Sequence, residues 1–289
     1  MDIKSLISET LETAVFRANG AGAPPKIAEA IQYSVFPGGA RLRPRLCLAV
    51  SMAYGQRDLE ATLAAGAAIE LLHCASLVHD DLPCFDDADV RRGKPSVHRA
   101  FGEEIAVLTG DALIVLAFQT LARGAADRPQ IIAGLLDVVA RSVGMPFGII
   151  AGQAWESEPN PDLKRYHQAK TGSLFVAAVE AGALTATGDA SGWRQLGVSL
   201  GEAYQVADDL RDLATSDGDY GKSCGRDEAL GRPSAAQELG VEGAVSRFRH
   251  LIADGLDSIP ACPGRVELRA MIDAETRRFV PKSLAHLAA

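Results

Sequence analysis

Apolar residues recur with helical spacing along most of this chain. Six segments combine this spacing with residues that favour helices. They are Leu59–His79, Glu103–Arg123, Pro129–Ala154, Ser173–Thr187, Trp193–Ala214 and Val241–Leu256. The first five are apolar on almost every side, which predicts buried helices, whereas the sixth carries charges on one side and is expected at the surface. Because no segment shows convincing strand alternation, we predict an all-α fold.

Three irregular stretches separate these helices and hold many of the charged residues. Phe36–Gly39 is a predicted turn before a basic segment, and Pro83–Pro95 holds acids followed by bases. Thr215–Pro233 is rich in Gly and charge, and we interpret it as a mobile lid. No linker divides the chain, so residues 1–289 are expected to form a single domain.

The composition supports packed helices and argues against one class of partner. The 289 residues are 47% hydrophobic and only 6% aromatic. A formal net charge of -8 argues against a nucleic-acid-binding protein. A polyanionic ligand would need metal ions or a local basic cluster to bind here.

The cysteines and the apolar runs predict a cytoplasmic protein. The five cysteines are scattered without a CxxC pair, so neither a disulfide framework nor a structural zinc site is expected. The segment Met1–Phe16 carries acids, unlike a signal peptide. We also expect no stretch to approach the roughly 20 apolar residues of a transmembrane helix.

An acidic cluster with Asp80, Asp81 and Asp86 follows the apolar run Ile69–Val78. Alone, such a cluster is typical of a solvated loop. If the helix ends near Pro83, however, the first two acids lie at its C-terminus, where the dipole disfavours anions by about 0.3–1 kcal/mol. A divalent cation would offset this effect and the repulsion between adjacent carboxylates. Hard oxygen ligands favour Mg²⁺.

A second acidic cluster lies on another predicted apolar helix. Asp208 and Asp212 are four residues apart and face the same side, with Gln205 one turn earlier. One acidic pair of this kind is common on exposed helices. Two Asp-rich helices predict that both supply ligands to metal ions in a shared cavity.

Basic residues near these clusters predict a site for anions. They are Arg41, Arg43, Arg45, Arg91, Arg92, Lys170, Lys222 and Arg232. Each alone is typical of a surface charge, but together with metal ions they predict a site for two diphosphates. The chain has no GxxxxGK[ST] motif, so a P-loop nucleotide site is excluded.

Five motifs resemble, in order, those of the trans-isoprenyl diphosphate synthases, the polyprenyl synthetase family. GGARLRP (Gly38–Pro44) resembles GGKRxRP, and His73–His98 resembles the first Asp-rich motif with its Arg pair. Lys170–Gly172 and Gln205–Asp212 resemble the KT motif and the second Asp-rich motif, and Gly221–Asp227 resembles the lid segment. The resemblance implies one polyprenyl synthetase domain with the isoprenoid synthase fold, a bundle of about ten or more helices around a central cavity.

The resemblance also implies an activity, a metal and a role for each motif residue. The activity is Mg²⁺-dependent head-to-tail condensation of isopentenyl diphosphate with an allylic diphosphate by a homodimer, with about three metal ions per site. The implied metal ligands are Asp80, Asp81, Asp86, Asp208 and Asp212. The implied ligands of the allylic diphosphate are Arg91, Lys170, Lys222 and Arg232, and those of isopentenyl diphosphate are Arg43, His73 and Arg92. The implied catalytic residues are Lys170, Thr171 and Gln205, of which the last two face the developing carbocation.

Two positions depart from the family motifs. Ala40 replaces a lysine, and losing a hydrogen bond to a charged group costs about 1.5–3 kcal/mol unless another residue compensates. Arg41 and Arg45 are the candidates for that compensation. Arg232 replaces a second lysine, which keeps the charge but changes its geometry. Because both Asp-rich motifs are intact, we favour an active enzyme.

The length of the product is predicted from the helix before Asp80. The residues four and five positions earlier, Ser76 and Ala75, lie about 6–7.5 Å along the helix axis and are both small. A bulky aromatic residue there would close the cavity early, whereas small residues predict the C20 product, geranylgeranyl diphosphate. The alternative is that Ala75 is small only for helix packing. The insertion Leu82–Pro83 also resembles bacterial C20 synthases of carotenoid pathways.

Several other functions share part of these sequence features. A farnesyl diphosphate (C15) synthase would share every motif, and a catalytically weak regulatory subunit would explain Ala40. A terpene cyclase is disfavoured by the second Asp-rich motif and by Arg43, His73 and Arg92. A metal phosphohydrolase would need further His ligands in a pattern that the sequence lacks.

Overall fold

The computed structural model of the protein describes residues 2–36, 39–55, 58–214 and 235–280, without the side chains of residues 163, 212–214 and 235–238. The helices are α1 (Ile3–Ala18), α2 (Pro25–Val35), α3 (Leu42–Met52), α4 (Leu59–Asp80), α5 (Val97–Phe101), α6 (Glu103–Gly124), α7 (Pro129–Val143), α8 (Ile149–Trp155), α9 (Leu163–His167), α10 (Ser173–Thr187), α11 (Arg194–Ala214), α12 (Ala235–Asp257) and α13 (Arg265–Thr276). A π-helical turn, Gln168–Gly172, joins α9 to α10. The described residues thus confirm the predicted all-α fold.

The only strands in the described ranges form a short antiparallel hairpin. Strand β1 (Val90–Arg91) pairs with β2 (Lys94–Pro95), so that Arg91 lies opposite Lys94. The hairpin occupies the end of the predicted irregular stretch Pro83–Pro95. It places its basic residues directly after the first acidic cluster.

Helix α10 lies at the centre of the fold. Its residues from Ser173 to Ala186 are all buried, and it packs against α3, α4, α7 and α11. Helix α4 is also largely buried and packs against α6. The absence of a polar side on both segments is therefore explained by contacts all around them. These two helices form the buried core from which the acidic loop and the π-helical turn extend.

The predicted helix Pro129–Ala154 is wrong, because the segment forms two helices. Helices α7 and α8 are separated by residues 144–148. A Cβ on Gly148 would lie 2.4 Å from the carbonyl carbon of Val143, so the chain folds back more closely than a side chain would allow. Pro146, in the same stretch, has no N–H to donate within a helix.

Helices α4 and α6 are long and apolar enough, by length and composition alone, to cross a membrane. This contradicts the expectation that no stretch approaches that length. In α4, 78% of the most apolar 18-residue stretch is buried inside the protein, as in a core helix. In α6, 44% of the corresponding stretch is buried. Helix α6 leaves Val107, Leu108 and Val115 exposed on its outer side.

Candidate active site

One side of α4 leads to the first acidic cluster. His73, Ser76 and Asp80 follow one another at helical spacing and are partly exposed. The hydroxyl of Ser76 donates to the carbonyl of His73 at 2.8 Å. Ala75 lies on a different side and is only 2% exposed, within the hydrophobic core. The structure therefore separates the two predicted chain-length residues, with Ser76 alone on the side of Asp80.

Asp80 and Asp81 lie at the C-terminus of α4, as predicted. The helix ends at Asp80, and Asp81 is its buried C-cap. The Nε of Arg91 donates to both carboxylate oxygens of Asp81, at 2.9 and 3.1 Å. Burial raises the pKa of the Asp81 carboxyl, although Arg91 acts in the opposite direction. Burial lowers the pKa of Arg91, but the carboxylates of Asp81, Asp80 and Asp86 together outweigh it, so the pKa of Arg91 is raised.

Asp86 is returned to the end of α4 by the loop that follows the helix. Its backbone N–H donates to the carbonyl of Asp80 at 2.9 Å. The neighbouring residue Asp87 has a left-handed backbone conformation, with φ of 44°, and pairs with Arg99 at 3.0 Å. These contacts hold the acidic loop against the helix that delivers it.

The π-helical turn connects the two Asp-rich helices. The ammonium of Lys170 donates to Oδ1 of Asp80 at 3.1 Å. The adjacent Thr171 donates to Oε1 of Gln205, on α11, at 3.0 Å. Consecutive residues of one turn therefore contact both acidic segments. Such π turns are frequent at functional sites.

The second acidic cluster lies on α11. Gln205 donates to Oδ1 of the buried Asp209 at 3.1 Å, whereas Asp208 pairs with Arg211 at 2.7 Å. Asp212 belongs to α11, but its side chain lies outside the described residues. The partner of Gln205 is therefore Asp209, which is not among the predicted metal ligands.

The residues predicted to bind isopentenyl diphosphate, Arg43, His73 and Arg92, lie in one basic region. The Arg43 guanidinium lies 4.9 Å from the Phe175 ring centroid, and its buried Nε has no hydrogen-bond partner within the described part of the chain. A Cβ on Gly39 would lie 3.2 Å from Nη2 of Arg92. Burial, and then the charges of Arg43, Arg92, Arg41 and Arg91, lower the pKa of His73 well below 6.5. His73 is therefore held neutral among arginines.

The two arginines that could compensate for Ala40 are engaged elsewhere. Arg41 pairs with the buried Glu70 at 2.7 Å. Arg45 donates to both carboxylate oxygens of Glu275, at 2.8 and 2.7 Å. Ala40 itself is exposed. Neither arginine therefore has a described contact that would compensate for Ala40.

The predicted lid and its two cations, Lys222 and Arg232, lie outside the described residues, so their placement stays a prediction. Among the residues that the structure does describe, no group of three or more His, Cys, Asp or Glu side chains is arranged to hold a metal ion. The donors that face the site are carboxylates, which suits Mg²⁺ chemically. Three of them, Asp80, Asp81 and Asp208, already carry a basic partner.

Comparisons with known proteins agree with this geometry. The polyprenyl synthetase family model matches residues 24–265. The chain belongs to the polyprenyl synthetase family. It is 50% identical to geranylgeranyl diphosphate synthase of Cereibacter sphaeroides over 285 residues, covering 99% of both chains. It is 46% identical to geranylgeranyl diphosphate synthase of Rhodobacter capsulatus, covering 95% of this chain and 96% of the relative.

Solved structures of similar synthases support the fold of this polyprenyl synthetase. A geranyltransferase of Helicobacter pylori complexed with magnesium and isoprenyl diphosphate is 30% identical to it, with a TM-score of 0.77. The alignment covers 96% of this chain and 98% of the other. The resemblance drawn from the motifs, the isoprenoid synthase fold and the prenyltransferase class are thereby confirmed.

Sequence reasoning missed one acidic residue of this polyprenyl synthetase. Glu156, which directly follows α8, lies 2.6 Å from the ammonium of Lys170. Its carboxylate also accepts hydrogen bonds from Tyr166 and Gln153. A signal was present, because Gln153 and Glu156 are three residues apart and so share one side of a helix. Nothing in the spacing alone linked that pair to Lys170.

Proposed function

We propose that this polyprenyl synthetase is a geranylgeranyl diphosphate synthase with a single domain over residues 1–289. It would condense isopentenyl diphosphate head-to-tail with allylic diphosphates until a C20 product is made. The identities of 50% and 46% to two geranylgeranyl diphosphate synthases support the product, since both comparisons extend over nearly the whole chain. The proposed place of the product is carotenoid biosynthesis, as the motif resemblance implies.

The contacts of the π-helical turn carry this proposal. Lys170 contacts Asp80 at 3.1 Å, and Thr171 contacts Gln205 at 3.0 Å. A cation and a hydroxyl are thus fixed side by side between the two acidic segments. In a condensation that begins with loss of diphosphate, the cation stabilises the leaving group and the hydroxyl faces the allylic carbon. One turn accounts for both roles.

The first acidic loop and α11 would hold Mg²⁺. Asp80, Asp86 and Asp208 are the proposed main ligands, with about three ions per site. Asp81 and Asp212 are proposed to act beside them or through water. The bound metal would stabilise the charge that develops on the leaving diphosphate. Because Asp81 is paired with Arg91, it also orients that guanidinium towards the allylic diphosphate, together with Lys170, Lys222 and Arg232.

Arg43, His73 and Arg92 are proposed to bind isopentenyl diphosphate. The buried Nε of Arg43 offers a donor that pairs with nothing in the described residues, and an anion would satisfy it. His73 is neutral, so it contributes a hydrogen bond without adding a charge to those of the arginines. The released diphosphate is the proposed acceptor of the final proton.

The growing chain is proposed to extend along α4 from Asp80 past Ser76, with Ala75 packed in the core behind it. Apolar surroundings would keep water from the cation, which would otherwise be quenched. Thr171 and Gln205 would supply dipoles near the developing charge without supplying a nucleophile.

We further propose a cytoplasmic homodimer. Helix α6 exposes Val107, Leu108 and Val115, and the charged Asp111 lies between the last two. An apolar side of this kind is covered when a second copy packs on it. Sedimentation velocity would test this, with Val115→Glu expected to shift the protein to a monomer. A wild-type monomer at micromolar concentration would contradict the homodimer.

Diphosphate release in the presence of isopentenyl diphosphate and farnesyl diphosphate tests the enzyme class. We expect release that EDTA abolishes and Mg²⁺ restores, and that depends on both substrates. Asp80→Asn should abolish it, whereas Asp137→Asn, an exposed acid on α7, should not. Release from farnesyl diphosphate alone would indicate a phosphohydrolase, and no release without another protein would indicate a regulatory subunit.

A further inference from the structure

Helix α8 packs so closely on the π-helical turn that there is no space for a side chain at Gly152. A Cβ on Gly152 would lie 2.4 Å from the backbone nitrogen of Lys170 and 2.8 Å from its Cβ. Only glycine fits at this position. Gln153 follows Gly152 on the same short helix, and Glu156 is the C-cap of that helix. The close contact therefore brings the Glu156 carboxylate to the Lys170 side chain.

The Glu156 carboxylate is held through both of its oxygens. Oε1 accepts hydrogen bonds from the hydroxyl of Tyr166 and the ammonium of Lys170, each at 2.6 Å. Oε2 accepts from Nε2 of Gln153 at 2.8 Å. Tyr166 is buried on α9, so it provides a fixed donor. Helices α8 and α9 thus each supply a donor that fixes where this carboxylate lies.

Lys170 lies between two carboxylates and is closer to Glu156. Its ammonium is 2.6 Å from Glu156 and 3.1 Å from Asp80, and its side chain is 20% exposed. An ammonium has three donors on a flexible stem, so without an anchor it would sample many positions. Because Asp80 is also a proposed metal ligand, the contact to Asp80 is not a permanent anchor.

We propose that Glu156 is a positioning residue that holds the Lys170 ammonium in place for the diphosphate of the allylic substrate. The inference rests on the proposed function, in which Lys170 binds that diphosphate. Glu156 leaves one donor of Lys170 for the substrate while keeping the side chain in the site. Its contribution is therefore to affinity for diphosphate and acts through Lys170.

A double-mutant cycle on the full-length protein tests this inference. Calorimetric titration with inorganic diphosphate in Mg²⁺ is compared for the wild type, Glu156→Gln, Lys170→Gln and the double variant. Glu156→Gln should weaken binding roughly tenfold in the wild type, as expected for a charged hydrogen bond. In the Lys170→Gln background it should change binding by less than about twofold, because the partner is gone.

Two further variants distinguish the positioning of Lys170 from a general loss of negative charge and from a loss of folding. Glu158→Gln removes the same charge from an exposed residue two positions away and should leave binding unchanged. Glu156→Asp should recover part of the loss, and it replaces Glu156→Gln if that variant does not fold. In the condensation assay, the KM for farnesyl diphosphate should rise while the KM for isopentenyl diphosphate stays constant.

Equal weakening by Glu156→Gln in both Lys170 backgrounds, or no weakening in either, would overturn the inference. These titrations do not require turnover. If the wild type binds diphosphate but forms no product, the proposed function is refuted. The double-mutant cycle would still test whether Glu156 acts on diphosphate binding through Lys170.

Discussion

Nη1 of Arg41 lies 2.7 Å from Oε1 of Glu70, in an ion pair whose side chains are 11% and 3% exposed. Nη2 of the same arginine donates to the carbonyl of Val35 at 2.6 Å. Arg41 therefore links α4 to the end of α2 and is not positioned as a substitute for the lysine that Ala40 replaces. Since Arg45 is bound to Glu275, the site lacks that cation among its described neighbours.

Ala40→Lys is expected to improve the use of isopentenyl diphosphate. One regained hydrogen bond between charged groups is worth about 1.5–3 kcal/mol, so KM should fall roughly tenfold or more. Steady-state kinetics with saturating farnesyl diphosphate would measure the KM for isopentenyl diphosphate. Ala40→Gln controls for the longer side chain, and an equal effect of both variants would show that charge is not the cause.

Arg41→Gln is expected to destabilise the fold. Removing one partner of a buried ion pair leaves the other charge uncompensated and costs about 3–5 kcal/mol. The free energy of unfolding would be measured by urea denaturation. Arg277→Gln, which breaks an exposed pair with Asp273, should cost less than about 1 kcal/mol. Similar losses in the two variants would contradict the structural role of Arg41.

Ser76→Phe and Ala75→Phe are expected to differ although the residues are adjacent. Ser76 is partly exposed on the side of Asp80, so an aromatic ring there should shorten the main product from C20 to C15. Ala75 is 2% exposed in the core, where the added volume costs about 1–3 kcal/mol of stability. Product analysis and thermal unfolding of both variants would show which residue limits chain length and which one only supports the core. If only Ala75→Phe shortened the product, Ala75 and not Ser76 would be the residue that limits chain length.

The neutral state of His73 predicts how stability depends on pH. Its folded pKa lies well below 6.5, so the unfolded chain takes up a proton below about pH 6.5 that the folded protein does not. The free energy of unfolding therefore falls as the pH drops below this value, by up to about 1.4 kcal/mol per pH unit for one group. His73→Gln should lose less stability than the wild type between about pH 7 and pH 5. Parallel losses would show that His73 titrates normally.

The parts of the site that follow from local sequence were predicted well. Asp80 and Asp81 were placed at a helix C-terminus because an apolar run ends just before Pro83. The class of the fold followed from apolar segments without strand alternation. Both are properties of contiguous residues, for which helical spacing is a direct guide.

The parts that depend on contacts between distant segments were not predicted. The break between α7 and α8 depends on the close return of Gly148 towards Val143. Gln205 donates to Asp209, which is buried, whereas residue spacing alone gave no partner for its amide. Similarly, the contact of Glu156 with Lys170 requires α8 to pack on the π turn. Residue spacing specifies which side of a helix is apolar but not which helix covers it.

The central claim is tested most directly by the length of the product. Purified protein would be incubated with isopentenyl diphosphate, Mg²⁺ and each of the C5, C10 and C15 allylic primers, and the products would be resolved by chain length. We predict one dominant C20 product from every primer that is used, and none in EDTA. A C15 end point would contradict the proposed product while leaving the enzyme class intact, and the absence of condensation with any primer would contradict the synthase itself.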